Sequence, residues 1–200
     1  MTLLGNGLHV AARHEESLSV KEAELSTLRR LGDSESNILI VQSNLASTYR
    51  ALGREGQANR MQRDVYFGRL KLNGDQSIFT LRAANNYANS LGRERKIEEV
   101  KLLMRKMLPV ARRLLEDDDR LTLTMRATYA KALYEDDGAT LDDLREAVDT
   151  YEDTERTARR VFGGAHPFTG ELAEFLREAR AALRARETPS PAHGGYCLIS

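Results

Sequence analysis

Most of the residues in this chain that could carry chemistry are dispersed, and the ones that cluster are amides. His9, His14, His166 and His193 are scattered, and His14-Glu15-Glu16 lacks the second histidine of a zinc-protease helix. Gly5-Asn6-Gly7 and Gly163-Gly164 lack the lysine and the spacing of a phosphate cradle. The carboxylates of Asp117-Asp118-Asp119 and Asp142-Asp143 fall in expected loops and helix starts, where they complement the helix dipole rather than hold a metal. No nucleophile stands beside a positioned base. The chain is therefore expected to be no enzyme, with no catalytic residue, no metal site and no cofactor. Asn85, Asn86 and Asn89 are different, because they crowd one helical face where polarity serves no core purpose. A short amide side chain offers an acceptor and two donors, which suits it to clamp the backbone of an extended peptide.

Helices must position those amides. Leu, Ala, Arg, Glu and Lys supply 99 of the 200 residues, and these types lose least on entering a helix, so an all-α chain is expected. The 30 basic and 30 acidic residues balance, which argues against a chain built to coat nucleic acid or an anionic membrane. The single cysteine, Cys197, excludes a disulfide scaffold. No uncharged apolar run approaches the ~20 residues that span a bilayer. Met1 to Val10 has no basic segment of a secretory signal, so a cytoplasmic location is the default.

The sequence repeats. Asn44-Leu45-Ala46-Ser47-Thr48-Tyr49 aligns with Asn86-Tyr87-Ala88-Asn89-Ser90-Leu91 and with Thr128-Tyr129-Ala130-Lys131-Ala132-Leu133, each copy 42 residues after the last. Ala58 and Val100 hold the same register, and Ala147 returns to it after a five-residue insertion in the acidic loop Glu135-Asp136-Asp137-Gly138-Ala139. Leu31-Gly32 aligns with Asn73-Gly74, Leu115-Glu116 and Phe162-Gly163, while Thr80, Thr122 and Thr169 share one position, giving spacings of 42, 42 and 47. Glycines and apolar periodicity place helices near 8–30, 36–53, 55–72, 78–92, 95–115, 120–135, 141–162 and 168–186. Thr140 with Asp143 reads as a capping box, and Pro109 is expected to kink or break its helix. A small alanine lets a neighbouring helix approach, and large residues one turn away fill the gap. One helix pair cannot bury its apolar stripe alone, so the pairs must stack.

The pattern Asn44-Leu45-Ala46-x-x-Tyr49-x-x-x-Gly53-x-x-x-x-Ala58 resembles a tetratricopeptide repeat. The junction Phe162-Gly163-Gly164-Ala165-His166-Pro167-Phe168-Thr169 resembles that of the longer, roughly 42-residue variety best known from kinesin light chains. The sequence departs from that pattern at Arg95, Glu116, Thr128 and Arg177, and no coiled-coil heptad segment is visible. The resemblance implies a tetratricopeptide-type α-solenoid, a right-handed superhelix of antiparallel helix pairs. Units are expected near 32–73, 74–115 and 116–162, with a partial unit at 163–187 and another at 8–31, and a flexible tail at 188–200. It also implies that the first helix of each pair lines a concave groove. The groove positions are Ser43, Asn44, Ser47 and Arg50 in the first unit, and Arg82, Asn85, Asn86, Asn89 and Arg93 in the second. The third supplies Thr124, Ala127, Thr128, Lys131 and Tyr134. Arg50, Arg82, Arg93 and Lys131 would make the groove locally basic, so the expected ligand is an extended, partly acidic peptide segment of another protein. His166, in the junction, is expected to cap or pack its turn.

Two further features bear on partners. The ending Cys197-Leu198-Ile199-Ser200, after a Pro- and Gly-rich stretch, has the form of a prenylation box, and membrane contact is expected only if Cys197 is lipidated. The stretch from Met1 to Arg13 holds no expected capping helix with a polar outer face, so end-to-end self-association through that side is a further expectation. A lipid-anchored adaptor and a regulatory domain of a larger enzyme, touching it through loop 135–143, are the alternatives to a peptide-binding module.

Overall fold

The computed structural model describes residues 2–188. These form nine helices and no strand: α1 (Thr2–Val10), α2 (His14–Leu31), α3 (Glu35–Ala51), α4 (Glu55–Asn73), α5 (Ile78–Arg93), α6 (Ile97–Leu114), α7 (Arg120–Tyr134), α8 (Leu141–Phe162) and α9 (Pro167–Glu187). Cys197 and the prenylation-like ending lie outside the described residues. The chain divides into two compact units, one up to Thr128 and one from Tyr129, with the division inside α7.

Local chemistry accounts for the helix ends. Ser34 Oγ accepts from Asn37 N at 3.3 Å and Ser77 Oγ from Phe79 N at 3.3 Å, satisfying donors that a helix start leaves open. The expected capping box is present: Thr140 Oγ1 accepts from Asp143 N at 3.1 Å while Asp143 Oδ2 accepts from Thr140 N at 2.9 Å. His166 caps α9 as expected, its Nδ1 accepting from Phe168 N at 3.1 Å, with Pro167 opening the helix.

In the first unit successive helices from α1 to α6 pack on one another in chain order. Leu18 and Leu25 of α2 meet Val41, Leu45 and Tyr49 of α3 and Ala58 of α4. The repeated small residues sit at the tightest points, with Ala46 at 0% and Ala88 at 1% exposure. In the second unit α8 packs on α9, around Tyr151, Leu172 and Ala179, each fully buried.

The repeated threonines close the junctions between helix pairs. Thr80 Oγ1 donates to the carbonyls of Gly74 at 2.6 Å and Arg69 at 3.2 Å, and Thr169 Oγ1 donates to Gly163 at 3.0 Å. Gly74 and Gly163 make this possible with φ of 73° and 88°, a region that suits a residue without Cβ. Glu116 occupies that register in the third junction and does not adopt positive φ. The buried Thr122 hydroxyl there has no hydrogen-bond partner among the described residues.

Two sequence-based expectations are corrected. The single helix expected over 8–30 is two helices, because the chain reverses at Ala12, where φ is 58° and Arg13 N bonds the Leu8 carbonyl at 2.9 Å. Pro109 does not break α6, which runs from Ile97 to Leu114. The proline and Arg105, whose carbonyl loses a donor, are on the exposed side, while Met107 and Ala111, both fully buried, hold the helix from the other.

Candidate binding surface

Helical spacing sets the surface. On α3, Ile40, Ser43, Asn44 and Ser47 fall at i, i+3, i+4 and i+7, and on α5 Phe79, Arg82, Ala83 and Asn86 do the same. These two faces, with α4 between them in the packing order, border a cleft of about 250 Å³. Its apolar lining is Leu39, Ile40, Val65, Phe79 and Ala83, and its polar lining is Ser43, Asn44, Arg69, Arg82 and Asn86. Arg69 is the fixed part of this wall. Its guanidinium donates to Ser36 Oγ and to the Ser36 carbonyl, each at 2.9 Å, and lies 5.3 Å from the centre of the Phe79 ring. Burial lowers the Arg69 pKa from an ordinary value so high that the charge persists at neutral pH.

Arg82 is exposed and has no ion-pair partner among the described residues. Asn86 is half-buried and Asn89 exposed, and neither amide is bonded among those residues. Arg82 and Asn86 line the cleft, which therefore presents a cation and an amide that are unbonded among the described residues, while Asn89 lies outside its lining.

The other sequence-derived positions are placed differently. Asn85 is buried, and its Oδ1 accepts from Thr128 Oγ1 at 3.0 Å, tying α5 to α7. Ala127 is buried as well, and Thr124 Oγ1 turns back to the Arg120 carbonyl at 2.7 Å. Ser47 Oγ donates to the Ser43 carbonyl at 3.3 Å. Arg50 donates to Ser90 Oγ at 3.1 Å and lies 3.8 Å from Glu55, which Arg93 approaches at 4.0 Å. Burial, and then the charge of Arg93, lower the Arg50 pKa, and Glu55 opposes them. One carboxylate thus offsets part of the positive charge that the sequence suggests. In the second unit, Lys131 pairs with Glu135 at 3.6 Å and lies 5.1 Å from the Phe175 ring centre. Tyr134 donates to Glu178 at 2.8 Å, and burial together with that carboxylate raises its pKa. Both side chains are engaged with α9.

Sequence reasoning missed Leu39, Ile40, Val65, Arg69 and Phe79. A signal existed: Ile40 and Phe79, 42% and 52% exposed, sit one turn before the polar positions on the same faces. Among the described residues, no group of three or more His, Cys, Asp or Glu could hold a metal ion, and no helix is long and apolar enough to cross a membrane.

Among solved structures, a kinesin-light-chain-type protein with nearly identical TPR-like repeats from Podosopora anserina matches 94% of this chain and 94% of its own, at 18% identity and a TM-score of 0.67. A single-site variant of that protein matches 92% of this chain and 85% of its own, also at 18% identity, with a TM-score of 0.75. The fold is a tetratricopeptide-like α-solenoid. BtubC (BKLC) from P. vanneervenii shares this repeat fold over 100% of this chain and 85% of its own, at 15% identity and a TM-score of 0.69. No protein-family model matches the sequence, and no curated protein matches it either.

Proposed function

We propose that this tetratricopeptide-like chain is a non-catalytic protein-interaction module, and that the α3–α5 face binds an extended, partly acidic peptide segment of another protein. The observation that carries this reading is the cleft of about 250 Å³ with an apolar lining and the side chains of Arg82, Asn86 and Asn44, unbonded among the described residues, beside it. The lining takes an apolar peptide side chain. The amides bond the peptide backbone, which carries a donor and an acceptor at every residue whatever its sequence. Arg82 attracts a neighbouring carboxylate, and Arg50 and Arg93 contribute the charge that Glu55 leaves over. Asn85 supports the surface from behind, through Thr128, without facing the peptide.

Selection of random displayed peptides on the intact chain tests this reading. The expected result is enrichment of acidic sequences that carry an apolar residue. Their binding should fall at least tenfold in Arg82→Glu and in Asn86→Asp, both at accessible positions, with helical content unchanged. Failure to enrich any peptide, or equal binding by both variants, would overturn it.

A further inference from the structure

Helix α1 presents apolar side chains to solvent. Its contacts with the rest of the first unit include several polar ones. Thr2 Oγ1 donates to the Glu24 carboxylate, Ser17 Oγ donates to the Gly5 carbonyl at 2.8 Å, and His9 Nδ1 lies 3.4 Å from Thr48 Oγ1. Gly5 is buried so closely that a Cβ there would stand 2.9 Å from Lys21 Cγ. Leu8 is half-buried, while three of the helix's other apolar residues point outward, with Leu3 at 89%, Leu4 at 60% and Val10 at 86% exposure. With Gly7 and Ala11, also exposed, they fall at the spacing of a single helical stripe. Ala11 N bonds the Gly7 carbonyl at 3.0 Å, which carries the stripe past the helix end.

Two properties of the stripe suit it to pairing with its own copy. Thr2–Val10 contains no Asp, Glu, Lys or Arg. A two-fold contact sets a patch against itself, so any charge in it would face its own copy, and an uncharged stripe escapes that repulsion. In the middle stands Gly7, where an added Cβ would meet nothing within 4 Å, so a second helix can approach closely there. We propose that the Leu3–Leu4–Gly7–Val10–Ala11 stripe pairs with the same stripe of a second copy of the chain, the two α1 helices crossing at Gly7. The exposed stripe offers on the order of 500 Å² per copy, or about 1,000 Å² in the pair, at the small end of specific interfaces. The dimer is accordingly weak and concentration-dependent. The pairing surface lies on α1 and shares no residue with the α3–α5 cleft, so it stands or falls independently of the peptide reading.

Sedimentation of the full chain between about 1 and 300 µM, the range over which so small an interface assembles, tests the pairing. The average mass should rise from one chain toward two, and Leu3→Glu with Val10→Glu should keep it at one chain with an unchanged circular dichroism spectrum. Gly7→Cys in a Cys197→Ser background should form an interchain disulfide at least tenfold faster than a cysteine at exposed Gly170 on α9. That measurement leaves the leucines and valine in place. A one-chain mass at every concentration, dimers that survive the double substitution, or equal cross-linking at the two cysteines would overturn the proposal.

Discussion

At the scale of single residues, the departures from the repeat pattern locate where the chain is under strain. Gly53 takes φ of 71° after α3, and Arg95, its counterpart 42 residues on, is held at 59°. A side chain in that region crowds its own backbone, whereas glycine enters freely. Arg95→Gly is expected to stabilise the fold by about 1 kcal/mol, roughly 2–4 °C in thermal midpoint for a chain of this size. A lower midpoint would show that Arg95 contributes more through its contacts than it costs through its backbone. The junction threonines form a matched pair. Thr80→Val removes a buried hydroxyl that serves two carbonyls, and a loss of about 1–2 kcal/mol is expected in denaturant unfolding. Thr122→Val removes one that serves none and should be neutral or stabilising, within about 0.5 kcal/mol. The register shared by the two threonines was legible in the sequence. Their unequal worth was not, because it depends on whether the chain turns through positive φ six residues earlier.

At the scale of elements, α1 packs on α2 and α3 partly through polar groups. Its polar seat includes His9, which faces Lys21 and His14 of α2 and Thr48 of α3, with Glu24 the nearby carboxylate. Burial first, then the charges of Lys21 and His14, lower the His9 pKa from its ordinary 6.5. Docked α1 therefore favours neutral His9, while released α1 binds a proton more readily. The docking contribution is fully present above about pH 6.5. It is lost as pH falls from there through the lowered value, and does not change further below it. Hydrogen exchange of the α1 amides, corrected for intrinsic rates, should accelerate on going from about pH 7.5 to 5.5. His9→Gln should remove the difference, and an unchanged pH response in that variant would place the titration elsewhere. The sequence does not announce α1, which lacks the repeat register and carries Gly5 and Gly7, both poor helix formers. It becomes a helix because α2 and α3 offer it a seat.

At the scale of the molecule, a formal net charge of zero leaves no long-range field to steer a ligand. The salt response of peptide binding then reports the local cations alone. Raising salt from about 50 to 500 mM should weaken a selected acidic peptide by about threefold, and Arg82→Ala should flatten that dependence, as read by fluorescence anisotropy. An equal salt response in Arg82→Ala would assign the electrostatics to another residue. The amino-acid sequence by itself determined the all-helical class, the helix pairs and the register of small and large residues. Those follow from periodicity and turn chemistry, which act over a few neighbouring residues. Only the tertiary structure decided which amides face outward. Asn85 and Asn86 are adjacent in the chain and 100° apart around the helix, and the position of α7 makes the first a strut while the second is left free. The cleft and the outward stripe of α1 are likewise products of packing, since exposure is set by what each helix face meets and sequence spacing records only which residues share that face.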